Sequence, residues 1–229
     1  MSETTPLLAL PLLAAAQAQK HVTHNEALLQ LDALAQLAVI DRVHTTPPGG
    51  AVAGDRYLIA PGAGGDWAGR DGQIALLDGG WTFLVPRAGW RLFVAAERTT
   101  LVHTGAGWAD LLAGTPSGGT VALRAVEQEL VLSGAFVTSS IVIPDRAICL
   151  AVASRTVQAV TGATAYEVGI AGDTSKFGGL LSVAVGASNV GVIGPQAFYA
   201  ATPLRVSALG GAFTGGRVRL VLFFLAFGI

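Results

Sequence analysis

Along most of this chain apolar and polar positions alternate in short runs, and only one stretch repeats with a helical period. Leu28, Leu31, Ala35 and Ala38 recur at 3-4-3 spacing, and Leu34 and Leu37 widen the stripe. That period predicts a helix from Thr23 to about Ile40. Thr23 and Glu26 stand at the spacing of a capping box, in which the hydroxyl and the carboxylate each satisfy an amide of the first turn. A helix this short is marginal alone, so its stripe is expected to pack, either around an oligomer axis or on the strands that follow. Residues 1–20 hold an apolar arm. Pro6 and Pro11 disfavour a continuous helix there, and an extended arm lying on a neighbouring surface is expected.

After Pro47-Pro48-Gly49-Gly50 the pattern becomes one of short strands with turn punctuation. Strands are predicted at 55–60, 73–77, 81–86, 91–95 and 99–103. Asp78-Gly79-Gly80 between two apolar runs signals a hairpin. All four tryptophans, Trp67, Trp81, Trp90 and Trp108, fall in this segment, where their rings can supply much of a small core. Gly114-Thr115-Pro116-Ser117-Gly118-Gly119 has the composition of a linker. Beyond it, strand-like runs occur at 121–126, 129–132, 136–143, 147–154, 165–170, 180–185, 197–200, 204–209 and 217–224. Eight or nine strands in this length match a jelly roll or a related sandwich. The expectation is therefore a mainly β chain in three parts. Residues 1–48 form an arm and helix for anchoring and oligomerisation, 49–113 a small Trp-rich β domain, and 120–229 an antiparallel, jelly-roll-like β-sandwich.

Composition sharpens this picture. The chain has 229 residues, 52% hydrophobic and only 13% charged, against about 25% charged in an ordinary domain. Its most apolar run, 218–229, falls short of the roughly 20 residues of a membrane-spanning helix, so membrane insertion is not expected. Scarce charge then points to surface buried between subunits, with the last strand in a core or at a subunit interface. A net charge of −1 supplies no footprint for nucleic acid. Cys149, the single cysteine, lies in an apolar run and reads as a buried small hydrophobe. Residues 2–5 lack the basic start of a secretory leader, so synthesis and assembly in the cytoplasm are expected.

Candidate chemistry is sparse. His21, His24 and Glu26 could share a helix face as metal ligands, but Thr23 and Glu26 are better used by the cap and no third ligand is evident. Asp66, Asp71 and Asp78 could be offered as glycosidase carboxylates, yet Asp-Gly at 71–72 and 78–79 is ordinary turn chemistry. No nucleophile elbow or phosphate-binding loop is present. No catalytic residue, metal or cofactor is expected. The polar segment 172–178 is predicted to be a loop. There Asp173, Ser175 and Lys176 could bond sugar hydroxyls, and Tyr166, Phe177 or Tyr199 could stack on a ring.

The string Gln17-Ala18-Gln19-Lys20-His21-Val22-Thr23-His24-Asn25-Glu26-Ala27-Leu28 carries a resemblance, continued by Trp67-Ala68-Gly69-Arg70-Asp71-Gly72-Gln73-Ile74-Ala75, by Gly80-Trp81-Thr82-Phe83 and by Pro86-Arg87-Ala88-Gly89-Trp90. Over residues ~8–112 the chain resembles a phage-associated domain family of unknown function, found in tail-fibre and spike proteins of phages and of gene transfer agents. The segment 169–178, with Gly191-Val192-Ile193-Gly194-Pro195, more loosely resembles C-terminal domains of such fibres. The resemblance implies a virion protein, a head-spike or tail-fibre subunit. Its N-terminal part would dock on a capsid vertex or a tail or baseplate protein. Its sandwich would bind host-surface polysaccharide. A homotrimer is the first choice of symmetry, with Leu28, Leu31, Leu34, Ala35 and Ala38 as the oligomerisation stripe, and a five-fold base the alternative. A capsule-degrading tailspike enzyme and an architectural connector without ligand are the competing readings.

Overall fold

The computed structural model describes residues 4–13 and 20–228, the side chains of residues 20 and 21 excepted. Residues 17–19 of the resemblance string and the side chain of His21 thus lie outside the described residues. The chain is mainly β and divides into two compact units, Met1–Asp110 and Leu111–Ile229.

In the first unit the arm and helix α1 (Lys20–Ala35) precede seven short strands. These are β1 (Ala38–Val39), β2 (Arg56–Leu58), β3 (Ile74–Leu77), β4 (Trp81–Leu84), β5 (Arg91–Val94), β6 (Thr99–His103) and β7 (Trp108–Asp110). They form two sheets, ordered β1-β5-β6-β7 and β2-β3-β4. The β3–β4 hairpin turns at Asp78-Gly79-Gly80, with Gly79 at φ 65, a conformation glycine adopts without strain. Trp67 is fully buried and meets Trp81 edge-on, ring centroids 5.1 Å apart, in a cluster with Tyr57, Ile59 and Ala75. Trp90 and Trp108 pack against a second cluster built on Leu92, Val94 and Leu101.

Three helix expectations are corrected. α1 begins at Lys20, so Thr23 and Glu26 lie inside it and cannot form its cap. It ends at Ala35, and Ala38 belongs to a strand instead, because residues 38–39 pair in parallel with Phe93 and Val94. Arg56 Nη1 donates to the carbonyl of Ala33 at 2.7 Å, filling an end-of-helix acceptor with a cation where the helix dipole favours one. The apolar stripe is also not the buried face: Leu31 and Ala35 are exposed, Leu28 and Leu34 are half-buried, and Asp32 and Ala33 are buried. Asp32 explains this choice. Its carboxylate accepts from the Thr5 hydroxyl at 2.8 Å and from the amides of Leu8 and Leu7 at 2.6 and 3.1 Å. Asn25 exchanges two bonds with the backbone of Leu13. The described part of the arm therefore turns back on itself, with Thr4 bridged to Pro11, and docks on its own helix. Residues 1–48 are not a free-standing anchor, since Val39 sits in the β core.

The second unit opens with β8 (Ala113–Gly114), which pairs with β9 (Thr120–Val131). The glycine-rich segment 114–119 is thus a tight hairpin, with Thr115 and Gly119 joined through their backbones. Then come β10 (Phe136–Ile143), β11 (Ile148–Thr161), β12 (Ala165–Ile170), β13 (Asp173–Leu181), β14 (Ser188–Ala197), β15 (Thr202–Leu209) and β16 (Gly215–Gly228). Two antiparallel sheets result, β14-β11-β16-β9-β8 and β10-β15-β12-β13. Counted from β9, their eight main strands fall sixth-third-eighth-first and second-seventh-fourth-fifth. That is the order of a jelly roll. The core between the sheets includes Ile143, Cys149, Val152, Val168, Phe177, Leu204, Leu220 and Leu222. Burial pushes the Cys149 thiol up to about 11, so it stays a protonated hydrophobe.

The segment 172–178 is strand, not loop, apart from Gly172. Phe177 is its one fully buried side chain, and the polar composition around it concealed the pairing. The following strand was also hidden, since β14 contains Gly191, Gly194 and Pro195. Gly191 has a steric reason: a Cβ there would run into the carbonyl oxygen of Phe177 on β13. The two sheets meet along this side, where Asn189 Nδ2 donates to the same carbonyl at 2.8 Å. On the opposite side Gln128 Oε1 accepts from the amides of Ser140 and Ile141 at 2.8 and 3.1 Å. On each open side of the sandwich an amide side chain thus ties the two sheets together.

Candidate functional site

Three surfaces stand out, and each follows from the local sequence. The first is the end of the jelly roll that carries the β10–β11, β12–β13 and β14–β15 connections. It presents exposed Asp145, Arg146, Asp173 and Ser175, and Tyr199 is 83% exposed. The strand directions bring these connections to one end, but two members of the expected ligand set are not there. Tyr166 and Phe177 are only 1% and 2% exposed, inside the sandwich. The Tyr166 hydroxyl bonds Thr156 Oγ1 at 3.1 Å, satisfying its polar tip indoors. Neither ring can stack on a ligand from solvent. The positions that can contact one are Asp173, Ser175, Tyr199 and, half-buried, Lys176.

The second surface is the outer face of sheet β14-β11-β16-β9. Along β16, Val218, Leu220, Leu222 and Phe224 point into the core. Strand alternation then turns Arg217, Arg219, Val221, Phe223, Leu225 and Phe227 outward. Their cross-strand neighbours on β9 are Val131, Glu129, Glu127, Ala125, Leu123 and Val121. On β14, Val190 and Val192 continue the row and are 64% and 73% exposed. One half of the face is therefore apolar. The other is charged, with Glu129 bridging Arg217 and Arg219 at 3.1 and 3.2 Å. The sequence signalled the apolar last strand, but not that only alternate residues serve the core.

The third is a cleft of about 540 Å³ in the first unit, lined by Arg42, Pro61, Asp71, Gln73, His103 and Trp108 among others. His103 meets Trp108 edge-on at 5.1 Å, and Trp108 Nε1 donates to the Gly72 carbonyl at 2.9 Å. Asp71 does not point a free carboxylate into this cleft. Its two oxygens accept from the amides of Gly62 and Ala63 at 3.0 and 2.8 Å, and these bonds hold it below its ordinary value. It clamps a turn. Arg42 is likewise engaged by Glu97 through two bonds of 2.7 and 2.8 Å.

Residues 24–109 match a family described as protein of unknown function, DUF2793. The match coincides with most of the first unit and stops one residue short of its boundary. No curated protein matches the chain. Among solved structures, the chain is similar to one titled "Cyanophage Pam1 capsid asymmetric unit", at 19% identity and a TM-score of 0.36, over 51% of this chain and 93% of that one.

Proposed function

We propose that this chain is a non-catalytic structural subunit of a phage or phage-like particle, a head-spike or tail-fibre protein. Its first unit docks on other particle proteins, at a capsid vertex or on the tail, and its jelly roll binds host-surface polysaccharide. The observation that carries the reading is a jelly roll that follows, along the chain, a unit whose sequence resembles a phage-associated family. This architecture recurs in viral capsid and lectin domains, and one loop end carries both hydrogen-bonding groups and an exposed aromatic, Tyr199, the two kinds of contact that sugar recognition uses. A fold hosts many functions, so the site makes the case for glycan: Asp173, Ser175 and Lys176 supply polar contacts and Tyr199 a stacking face.

The test is binding of the purified chain to capsular polysaccharide from the host of its particle, followed by calorimetry, for the wild type and for Tyr199→Ala. Loss of one stacked ring is expected to weaken binding about tenfold, on the scale of 1–3 kcal/mol for an aromatic stack. Undiminished binding in Tyr199→Ala would remove the assigned site. Release of reducing ends from the polysaccharide would instead establish the enzymatic alternative. A chain that is present in particles yet binds no polysaccharide would be the architectural connector.

A further inference from the structure

The outer face of sheet β14-β11-β16-β9 is left open in the single chain, and its chemistry points to what covers it. Val221, Phe223 and Leu225, half-buried, run down its middle, flanked by exposed Leu123 on one side and by exposed Val190 and Val192 on the other. Monomeric proteins rarely expose contiguous apolar patches larger than a few hundred Å². With β16 14 residues long, about 3.3 Å per residue and four strands about 4.8 Å apart give a whole face of roughly 900 Å², of which the apolar half is roughly 450 Å². The whole face matches the ~800 Å² per partner of a standard stable interface.

Charge at the far half of the face is arranged in two flanks. Glu127 on β9 and Arg155 on β11 lie on opposite sides of β16, both exposed, and neither has an ion-pair partner among the described residues. Arg155 is also paired across the strands with Arg219, and like charges directly opposite one another are unfavourable. A carboxylate arriving at the β11 flank would relieve that pair. Glu129 is already engaged, so the face's own candidate for that carboxylate is Glu127, on the other flank. A single surface with an acidic flank, a basic flank and an apolar middle is complementary to another copy of itself.

We infer that this face is the self-association surface of the chain. A second copy covers the apolar middle and sets its Glu127 against Arg155 of the first. A two-fold axis running along β16 lays each copy's β9 flank over the other's β11 flank, so both Glu127–Arg155 contacts form at once. This is an isologous contact, the same face used by both partners, and two copies are the expected number. The inference rests on reading the chain as an assembled subunit and not on any polysaccharide.

Light scattering and sedimentation of the full chain at micromolar concentration test it. The wild type is expected at a mass near two chains. Val192→Glu combined with Leu123→Glu changes exposed side chains only, so the fold, followed by circular dichroism, should persist while association weakens at least tenfold. Glu127→Arg is expected to weaken association similarly, and Glu127→Arg with Arg155→Glu to restore most of it. A monomeric wild type would overturn the inference. So would a folded double-Glu variant that keeps the wild-type mass, or a charge swap that rescues nothing. Incorporation of these variants into particles separates the two readings. A dissociated variant that still enters particles leaves the subunit role standing, while a wild type that self-associates but never enters particles removes that role alone.

Discussion

Asp71 shows how far a single residue can be read from its neighbours. An Asp-Gly pair in a glycine-rich stretch announces a turn, and the structure finds its carboxylate tying residues 62 and 63 to residue 71. Because the folded value is depressed, the carboxylate's stabilisation is complete above the ordinary value near 3.8 and is lost as pH falls through the folded value below it. The melting midpoint followed by tryptophan fluorescence, which reports residues 67–108 only, should therefore fall on acidification from pH 6 to about pH 3. The fall should be smaller in Asp71→Asn, whose starting midpoint is already lower. Equal pH dependence in the two proteins would show the clamp to be inert. Cys149 was equally legible, since a lone thiol within an apolar run packs as one more small hydrophobe. Asp32 was not. It sits among leucines and alanines, and its partners lie 24 to 27 residues away on the arm, a distance over which no local pattern speaks. Tyr166 and Phe177 misled for the opposite reason: polar neighbours suggested a surface, while strand pairing placed both rings in the core.

At the scale of elements, strands flanked by clear turns were legible and their ends were nearly right, as for β3 to β6. The failures share a cause in long-range pairing. The helix period runs past Ala35, but residues 38–39 gain a parallel ladder with β5, and tertiary pairing overrides a weak local preference. Strands β13 and β14 were hidden by glycine and polar residues that a strand taken alone would avoid. Their sequence makes sense only against each other. Gly191 leaves room for the β13 backbone, and Asn189 bonds to it. Gly191→Ala should therefore force the two strands apart and cost about 1–3 kcal/mol, as overpacking does. Gly194→Ala, with open space at its Cβ, should stay within about 0.5 kcal/mol of the wild type, as surface changes do. Urea unfolding followed by circular dichroism measures both, and equal effects at the two positions would refute the steric account.

For the molecule as a whole, the mainly β class and the sandwich were visible from strand spacing and the lack of helical period after residue 120. The division at residues 110–111 lies close to the composition break, although the glycine-rich stretch proved to be a hairpin of the second unit. The main core of that unit is drawn entirely from residues 130–224, with half-buried flanks from 126 to 226. A fragment of residues 111–229 is accordingly expected to be soluble and to keep a β-sheet circular-dichroism spectrum with one cooperative melt. A spectrum of disordered chain would show that its core is not self-sufficient. The candidate surfaces were less legible, because a sheet's outer face is defined by register, and register is written in both partners of every strand pair.

The two amide side chains that tie the sheets of the sandwich together, Asn189 and Gln128, have a consequence for behaviour at high copy number. An exposed strand edge is a template on which identical chains can stack without limit. Here β13 abuts β14, the β10 amides of Ser140 and Ile141 are occupied, and β9 is bordered by the two-residue β8. Where these side chains occupy the strand edges, main-chain addition of another chain is blocked. If copies associate through the outer face of β14-β11-β16-β9, they join by side chains, an arrangement that closes rather than stacks without limit.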